Sequence, residues 1–236
     1  MLSILYIDDH LIAINKPAGM LVHRSKIDAR EKVFALQTLR DQIGEHVYSI
    51  HRLDKPTSGV LLFARNPEIA GKVAGDFASR KVRKTYVAVV RGWTPEVDTI
   101  DYPLKPIFDR MTDGRTRQPK PPQNAETSFR TMATCEIPSP VGRYSSARYS
   151  LVEIEPKTGR KNQIRRHFKH IFHPIVGDRK FGDGAHNTFF KENFHVDRLL
   201  LAATSLELTH PATSVALRIE CEHGFRPSMM SDLGFG

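Results

Sequence analysis

Cysteine is almost missing from this chain. Cys135 and Cys221 are the only two, they stand far apart, and no C-x-x-C occurs. A cysteine zinc site is therefore not expected, and a reducing compartment, the cytoplasm, is the simplest setting. Long apolar runs are missing too: nothing approaches the ~20 residues that a membrane-spanning helix needs. The N-terminus carries Asp8 and Asp9 and lacks a long apolar core, so no signal peptide is expected. There is no internal repeat. Acids are in the minority: 26 Asp and Glu face 35 Lys and Arg, a formal charge of +9. Such an excess attracts polyanions, but charge alone does not choose between nucleic acid and an anionic membrane. Apolar residues make up 40% of the 236, enough for the core of one large domain or two modest ones.

What is present centres on residues 51 to 65, His51-Arg52-Leu53-Asp54-Lys55-Pro56-Thr57-Ser58-Gly59 followed by Val60 to Ala64 and Arg65. The pattern reads as strand, turn, strand. Tyr48, Ile50 and Leu53 lead in, Pro56 and Gly59 punctuate, and the apolar run Val60 to Ala64 suits a strand buried on both faces. Taken alone, an Asp ahead of Pro-Thr-Ser-Gly is a turn residue. Upstream, residues 2 to 7 and 11 to 15 predict two strands turning at Asp8-Asp9-His10, and Asn15-Lys16-Pro17-Ala18-Gly19 is a turn. Helical spacing of Val33, Leu36, Leu39 and Ile43 predicts a helix over 31 to 43. Asn66-Pro67-Glu68 is a helix start, with Ala70, Val73, Ala74 and Phe77 as its buried face.

Residues 81 to 91 predict a strand, carrying Lys84-Thr85-Tyr86-Val87-Ala88-Val89-Val90-Arg91-Gly92. Tyr86 alone is a sheet aromatic. Residues 103 to 124 are broken by Pro103, Pro106, Pro119, Pro121 and Pro122, with Arg110, Arg115, Arg117 and Lys120 between them. They predict an irregular basic loop, either a solvated linker or an arm that touches phosphates. Strands are expected over 127 to 136, 145 to 155 and 199 to 209. Thr158-Gly159-Arg160-Lys161-Asn162-Gln163-Ile164-Arg165-Arg166-His167 predicts a glycine turn entering a basic helix, 160 to about 172. With no acid nearby in sequence, Arg160, Lys161, Arg165, Arg166 and Lys169 point to a phosphate-facing surface. His167, His170 and His173 invite a metal reading, but no His pair at i, i+4 with a carboxylate accompanies them, so no metal is assigned. The residues after Gly224 carry little signal.

Several of these stretches, in order, resemble motifs of the RluA-type pseudouridine synthases. His51 to Leu62 resembles H-R-L-D-x-x-T-S-G-L-L-L, and Asn15 to His23 resembles N-K-P-x-G-x-x-V-H. Lys84 to Gly92 resembles K-x-Y-x-A-x-V-x-G, and Thr158 to His167 resembles T-G-R-x-H-Q-I-R-x-H. His173 to Gly182 is similar to H-P-I-x-G-D-x-x-Y-G, with Phe181 at the aromatic position, and reads as a structural loop. The strand ending at His210-Pro211 is similar to L-H-A-x-x-L-x-x-x-H-P. The chain departs from the family twice: Asn162 and Ala202 stand where it usually has His. Asn hydrogen-bonds but does not titrate, so residue 162 is given no proton-transfer role.

The resemblance implies an α+β fold, a long, mostly antiparallel mixed sheet flanked by helices with the active cleft across its middle. It implies one catalytic domain over residues 1–236, without the S4-type RNA-binding domain that the family often carries at its N-terminus. It implies isomerisation of uridine to pseudouridine in RNA, without cofactor or metal, without a membrane and without an obligate protein partner. Asp54 falls on the nucleophile, Tyr86 on the aromatic that lies against the target base, and Arg165 on the cation that pairs with the Asp. Arg52 falls on the residue that fills the space a flipped base vacates, and Ile164 is expected beneath the uracil. The catalytic roles suit the residue types: a carboxylate is a competent covalent catalyst, and an Arg keeps its charge and pairs bidentately.

Within the family, the match is strongest to enzymes that modify tRNA at uridine 65, at the base of the T-stem. The clues are Leu21-Val22-His23-Arg24-Ser25, Gln37 to Gly44, Val90 to Trp93 and Asp101 to Leu104. An rRNA target is the alternative. Two competitors of other kinds are a catalytically silent RNA-binding module, against which Asp54, Tyr86 and Arg165 together argue, and a metal-assisted hydrolase using the histidines with Asp178 and Asp183.

Overall fold

The structure, a computed structural model, describes residues 1–23, 31–107 and 121–235. Arg24 and Ser25 of the subfamily signature lie outside the described residues, as do Arg110, Arg115, Arg117, Pro119 and Lys120 of the Pro-rich loop. The elements run β1 (Ser3–Ile7), β2 (Leu11–Lys16), α1 (Ala35–Ile43), β3 (Tyr48–Ser49), β4 (Ser58–Ala64), α2 (Pro67–Ala78), β5 (Arg83–Arg91), β6 (Val97–Asp101), β7 (Glu126–Ile137), β8 (Ala147–Pro156), α3 (Gln163–His170), α4 (Gly184–Phe194), β9 (Leu201–Thr209), β10 (Ala216–Glu220) and α5 (Pro227–Asp232). The fold is α+β, as expected. One sheet runs β1-β2-β4-β9-β5-β8-β7-β6, with β3 on β4 and β10 on β9. Among the described strands all pairings are antiparallel except β4 with β9. No described helix is long and apolar enough to cross a membrane.

β4 is buried at every position. Its alternate residues go to opposite faces, as a strand's must. Leu61 and Phe63 pack with Ala35 and Leu39 of α1, whereas Val60 and Leu62 pack with Ile69 and Val73 of α2. The other half of the sheet is covered the same way. Ala88, Val90, Val152 and Ile154 meet Ile164 and Phe168 of α3, and Val87, Val89, Tyr149 and Leu151 meet Phe190 of α4 and Met229 of α5. The two halves join at the short parallel contact of Ser58 with Ala202 and Gly59 with Ala203. Gly59 has φ +110°, and a Cβ there would collide with the Ala203 carbonyl. Only glycine lets the strands approach so closely.

The structure corrects several expectations. The strand before the Asp54 turn shrinks to Tyr48–Ser49, because the His51 ring takes the place of a strand partner: its Nε2 accepts from the Leu62 amide at 3.0 Å. α1 starts at Ala35, not 31, since the amides of Ala35 and Leu36 donate to the carbonyls of Leu21 and Val22. On α2, Asn66 caps the Ile69 amide as predicted, but Ala74 is exposed and Ile69 is buried with Val73. Residues 69 and 73 lie one turn apart and face β4 directly. α3 is confined to Gln163–His170, because Asn162 and Phe172 both have positive φ and end the helical ladder. β6, α4, β10 and α5 were not anticipated. The sequence of α4, GAHNTFFKENF, has no apolar stripe at helical spacing, so its pattern does not announce a helix.

Asp8 clips the N-terminal hairpin to the end of β9. Its carboxylate accepts from the His10 and Leu11 amides at 2.7 Å, from the Tyr6 hydroxyl, and from His210 Nε2 at 2.9 Å. Burial opposes the charge, but these donors outweigh it and hold the carboxyl down at about 2. A carboxylate lowered on folding adds stability above its unfolded value, and that stability is lost as pH falls through the folded one. Asp8→Asn is therefore expected to lower stability by roughly 1–2 kcal/mol at pH 7, allowing for partial exposure. Urea unfolding of wild type and variant should show the difference shrinking below pH 4 and closing near pH 2.

Candidate active site

The loop that ends in β4 carries Asp54 and is pinned from three sides. The Thr57 amide donates to the Asp54 carbonyl at 3.0 Å, closing the turn. The Lys55 carbonyl accepts from the Gly19 amide at 2.9 Å and from Lys16 Nζ at 3.2 Å. His51 stacks on Phe77 of α2 at 4.6 Å between centroids. Burial pushes the His51 ring down to about 3, with Lys84 adding to the effect, so it is a neutral acceptor at physiological pH. Asp54 thus sits on a fixed frame with its side chain 20% exposed.

Arg165 of α3 meets it at the wall of a cavity of about 600 Å³ that both residues line. Its Nη1 donates to Asp54 Oδ2 at 3.3 Å and to Asn162 Oδ1 at 3.0 Å. Its Nε and Nη2 donate to the two oxygens of Asp178 at 2.7 and 2.8 Å. Asp178, 1% exposed, also accepts from the amides of Lys180 and Phe181, and the Phe181 ring lies 5.1 Å from the guanidinium carbon. Burial opposes charge on both partners. Their mutual attraction prevails, raising Arg165 and lowering Asp178, so the pair stays ionised. The basic helix therefore does have an acidic partner, thirteen residues on, in the loop read from sequence as merely structural. Asn162, the departure from the family pattern, adopts φ 56° and steadies the Arg165 edge that Asp54 meets.

Tyr86 lies on β5 between Ile154 of β8 and Ala203 of β9, where the clusters under α1 and α3 meet. It lines the cavity with Asp54. Burial, and then the nearby Asp54 charge, raise its hydroxyl well above the usual value, so it rests as a phenol. Ile164 forms part of the same wall and is buried. Arg52 is exposed on the rim, and Arg160 and Lys161 also line the opening. Arg166 and Lys169 do not line it: Arg166 Nη2 donates to the Lys105 carbonyl at 2.9 Å, and Lys169 is exposed further along α3.

Lys16 was not singled out from sequence. It is fully buried beneath the Asp54 loop, and its Nζ also donates to the carbonyls of Pro17 and Met20 at 2.9 and 2.8 Å. Burial draws it down to about 7, opposed by the Asp54 charge. The only sequence signal was its place in Asn15-Lys16-Pro17. The histidines that invited a metal separate. His167 bonds Thr127 and the Tyr102 carbonyl, His170 stacks on Tyr102 at 3.6 Å, and His173 meets the Arg91 carbonyl. Asp183 caps α4 and pairs with Arg91. Among the described residues, no three His, Cys, Asp or Glu side chains come together as metal ligands.

A profile described as RNA pseudouridylate synthase matches residues 10–170. The tRNA pseudouridine synthase C of Vibrio cholerae is 52% identical over 219 residues, covering 93% of this chain and 90% of that protein. That of Haemophilus ducreyi is 56% identical over 212 residues, covering 90% and 87%. Among solved structures, Human RNA Pseudouridylate Synthase Domain Containing 4 superposes with a TM-score of 0.69 at 26% identity, covering 99% of this chain and 92% of that one. Human RNA Pseudouridylate Synthase Domain Containing 1 shares the fold, with a TM-score of 0.74 at 24% identity.

Removing the carboxylate of Asp178 strands a guanidinium whose side chain is only 8% exposed. Asp178→Ala is expected to cost about 3 kcal/mol, the lower end for breaking a buried pair, because Asp54 and Asn162 still touch Arg165. Urea unfolding at pH 7 measures it; a loss under 1 kcal/mol would show that the pair does not hold the site together.

Proposed function

The chain belongs to the RluA-type RNA pseudouridylate synthases and is an isomerase acting on uridine in RNA; from that premise we propose that it works on tRNA, at uridine 65 at the base of the T-stem, with Asp54 as the covalent catalyst. The observation that carries the catalytic reading is the Asp54 carboxylate held 3.3 Å from a buried, doubly anchored Arg165 at the wall of the cavity. The substrate reading rests on the relatives named tRNA pseudouridine synthase C, about half identical over nearly the whole chain. One sheet runs through both halves of the described chain, which supports reading residues 1–236 as a single catalytic domain.

The reaction is redox-neutral. Asp54 attacks either carbon 6 of the uracil or the sugar carbon, and the glycosidic bond from nitrogen 1 breaks. The uracil turns over, carbon 5 bonds to the sugar carbon, the bond to Asp54 breaks and returns the free carboxylate, and the carbon 5 proton leaves while nitrogen 1 gains one. Arg165 pairs with the attacking carboxylate, and Asp178 holds the guanidinium in place. Tyr86 offers a ring face to the base and a hydroxyl to its edge. Resting as a phenol, it must first give up its own proton before it can accept one from carbon 5. Ile164 supplies the opposite apolar surface. Chelator-insensitive conversion is expected, in contrast to a metal-assisted hydrolase.

A stem uridine is paired, so flipping it costs a few kcal/mol. Arg52, exposed on the rim, is positioned to enter the duplex and offset the lost stacking. Because the major groove of an RNA helix is deep and narrow, recognition falls on shape, phosphates and 2′-hydroxyls.

Asp54→Asn is expected to abolish pseudouridine formation while RNA affinity stays within about threefold, since a carboxylate among cations does not attract phosphate. Arg165→Met should lower the single-turnover rate about as severely. A variant lacking the carboxylate that still converts substrate overturns the assignment. For the substrate, purified protein is incubated with unmodified tRNA, a T-arm with intact stem, its single-stranded counterpart and rRNA fragments, and pseudouridine is mapped chemically. Conversion is expected in tRNA and the T-arm at the base of the T-stem, and little in the single strand. Conversion confined to rRNA would favour the alternative target and leave the chemistry standing.

A further inference from the structure

The RNA contacts expected from sequence lie on α3, in the turn just before it and at Arg52. The structure reveals a second basic wall on the same cavity. Arg80 in the α2–β5 connection, Lys84 on β5 and Lys157 just after β8 all line the cavity that holds Asp54. The same three, with Lys81, Arg83, Pro156 and the paired carboxylate of Glu155, also line an adjoining depression of about 200 Å³. Lys84 and Tyr86 are two residues apart on one strand. They face the same way, about 7 Å apart along β5.

This wall is short of countercharge. Glu155 is engaged by Arg83 and Lys157, and Asp76 by Lys81. Among the described residues, no carboxylate pairs with Arg80 or Lys84. Lys84 is half-buried, and its burial together with the charges of Arg80 and Lys157 lowers its affinity for a proton. Arg80 is held at φ 62°, a left-handed conformation that non-glycine residues uncommonly adopt. Its amide donates to the Phe77 carbonyl, and the Lys81 amide donates to that of Asp76, fixing the turn. Crowded like charges raise the energy of the empty groove, and a bound anion relieves the repulsion.

We propose that Arg80 and Lys84, with Lys157 at the margin, form a backbone-phosphate subsite that grips the RNA strand next to the uridine entering beside Tyr86. The proposal rests on reading the cavity as the place where the target base is received. The ligand class is the phosphodiester of a polynucleotide, because the same cations line both the base cavity and the depression beside it. Gripped between this wall and α3, the strand is held on both sides of the nucleotide that must leave its stack.

The test compares wild type, Arg80→Gln, Lys84→Met and the double variant, with Lys72→Gln as a charge control. Lys72 pairs with Glu68 on the exposed side of α2 and does not line the groove. Lys84→Met keeps an apolar stem in the half-buried position, and thermal melting verifies the fold of each protein. Affinity is measured by fluorescence anisotropy over a series of KCl concentrations, on whichever RNA the wild-type protein converts. Each lost phosphate contact should make the slope of log K against log salt shallower by about 0.7–0.9, so the double variant loses about twice that. The deficit in affinity should be greatest at low salt and shrink as salt rises, while Lys72→Gln keeps the wild-type slope. A double variant that melts normally and keeps the wild-type slope on a converted RNA overturns the subsite. Failure of the T-stem reading would show separately, as a T-arm the wild-type protein leaves unconverted.

Discussion

Two antiparallel halves of one sheet meet where Gly59 lies against the carbonyl of Ala203, and the site depends on that approach. Among the described strands it is the only parallel pairing, and it spans two residue pairs. A side chain at residue 59 would push β4 away from β9. Because Asp54 sits five residues before Gly59 and Tyr86 lies across Ala203 on β5, separating the strands would separate those two side chains. The glycine of Thr57-Ser58-Gly59 is thus a spacer between the halves as much as a turn residue. The conformational freedom it loses on folding is offset by the apolar clusters that close over both faces of β4.

On that frame the charges form a chain. Asp178 holds Arg165 at two points, and Arg165 offers its remaining edge to Asp54 and Asn162. The bidentate bond is the shorter and more buried, so Asp178 fixes the guanidinium and Asp54 meets it more loosely. That asymmetry suits the covalent role proposed for Asp54, because a carboxylate that attacks has to leave its partner. Lys16 works from beneath, tying the carbonyls of Pro17, Met20 and Lys55 under the same loop. The N-terminal turn and the Asp54 loop are thereby one rigid unit, although nearly forty residues separate them in the chain.

The basic surface is likewise two-sided. The turn before α3 supplies Arg160 and Lys161 to the rim, and the α2–β5 turn with β5 supplies Arg80 and Lys84. A cleft lined by one sign of charge concentrates counter-ions and steers an anionic partner inward. The formal charge of +9 therefore acquires a direction from the fold, which composition alone lacks.

The sequence by itself determined the family, the fold class, most of the strands and the identity of Asp54, Tyr86 and Arg165 as the residues of interest. It could do so because linear motifs record local constraints: a turn around Asp54, alternation along β5, a glycine before α3. It also gave β4 as buried on both faces, since an unbroken apolar run has no polar face to expose. Only the tertiary structure decided who pairs with whom. Asp178 looked like part of a structural loop and Lys16 like part of a turn, because the partners of each come from distant parts of the chain or depend on burial. The exposure of Ala74, the helix in GAHNTFFKENF and the helix after Gly224 were equally hidden, for each is set by what packs against it. Lys84 was visible in its motif, but its place on the cavity wall follows from the order in which strands enter the sheet, and no local pattern encodes that order.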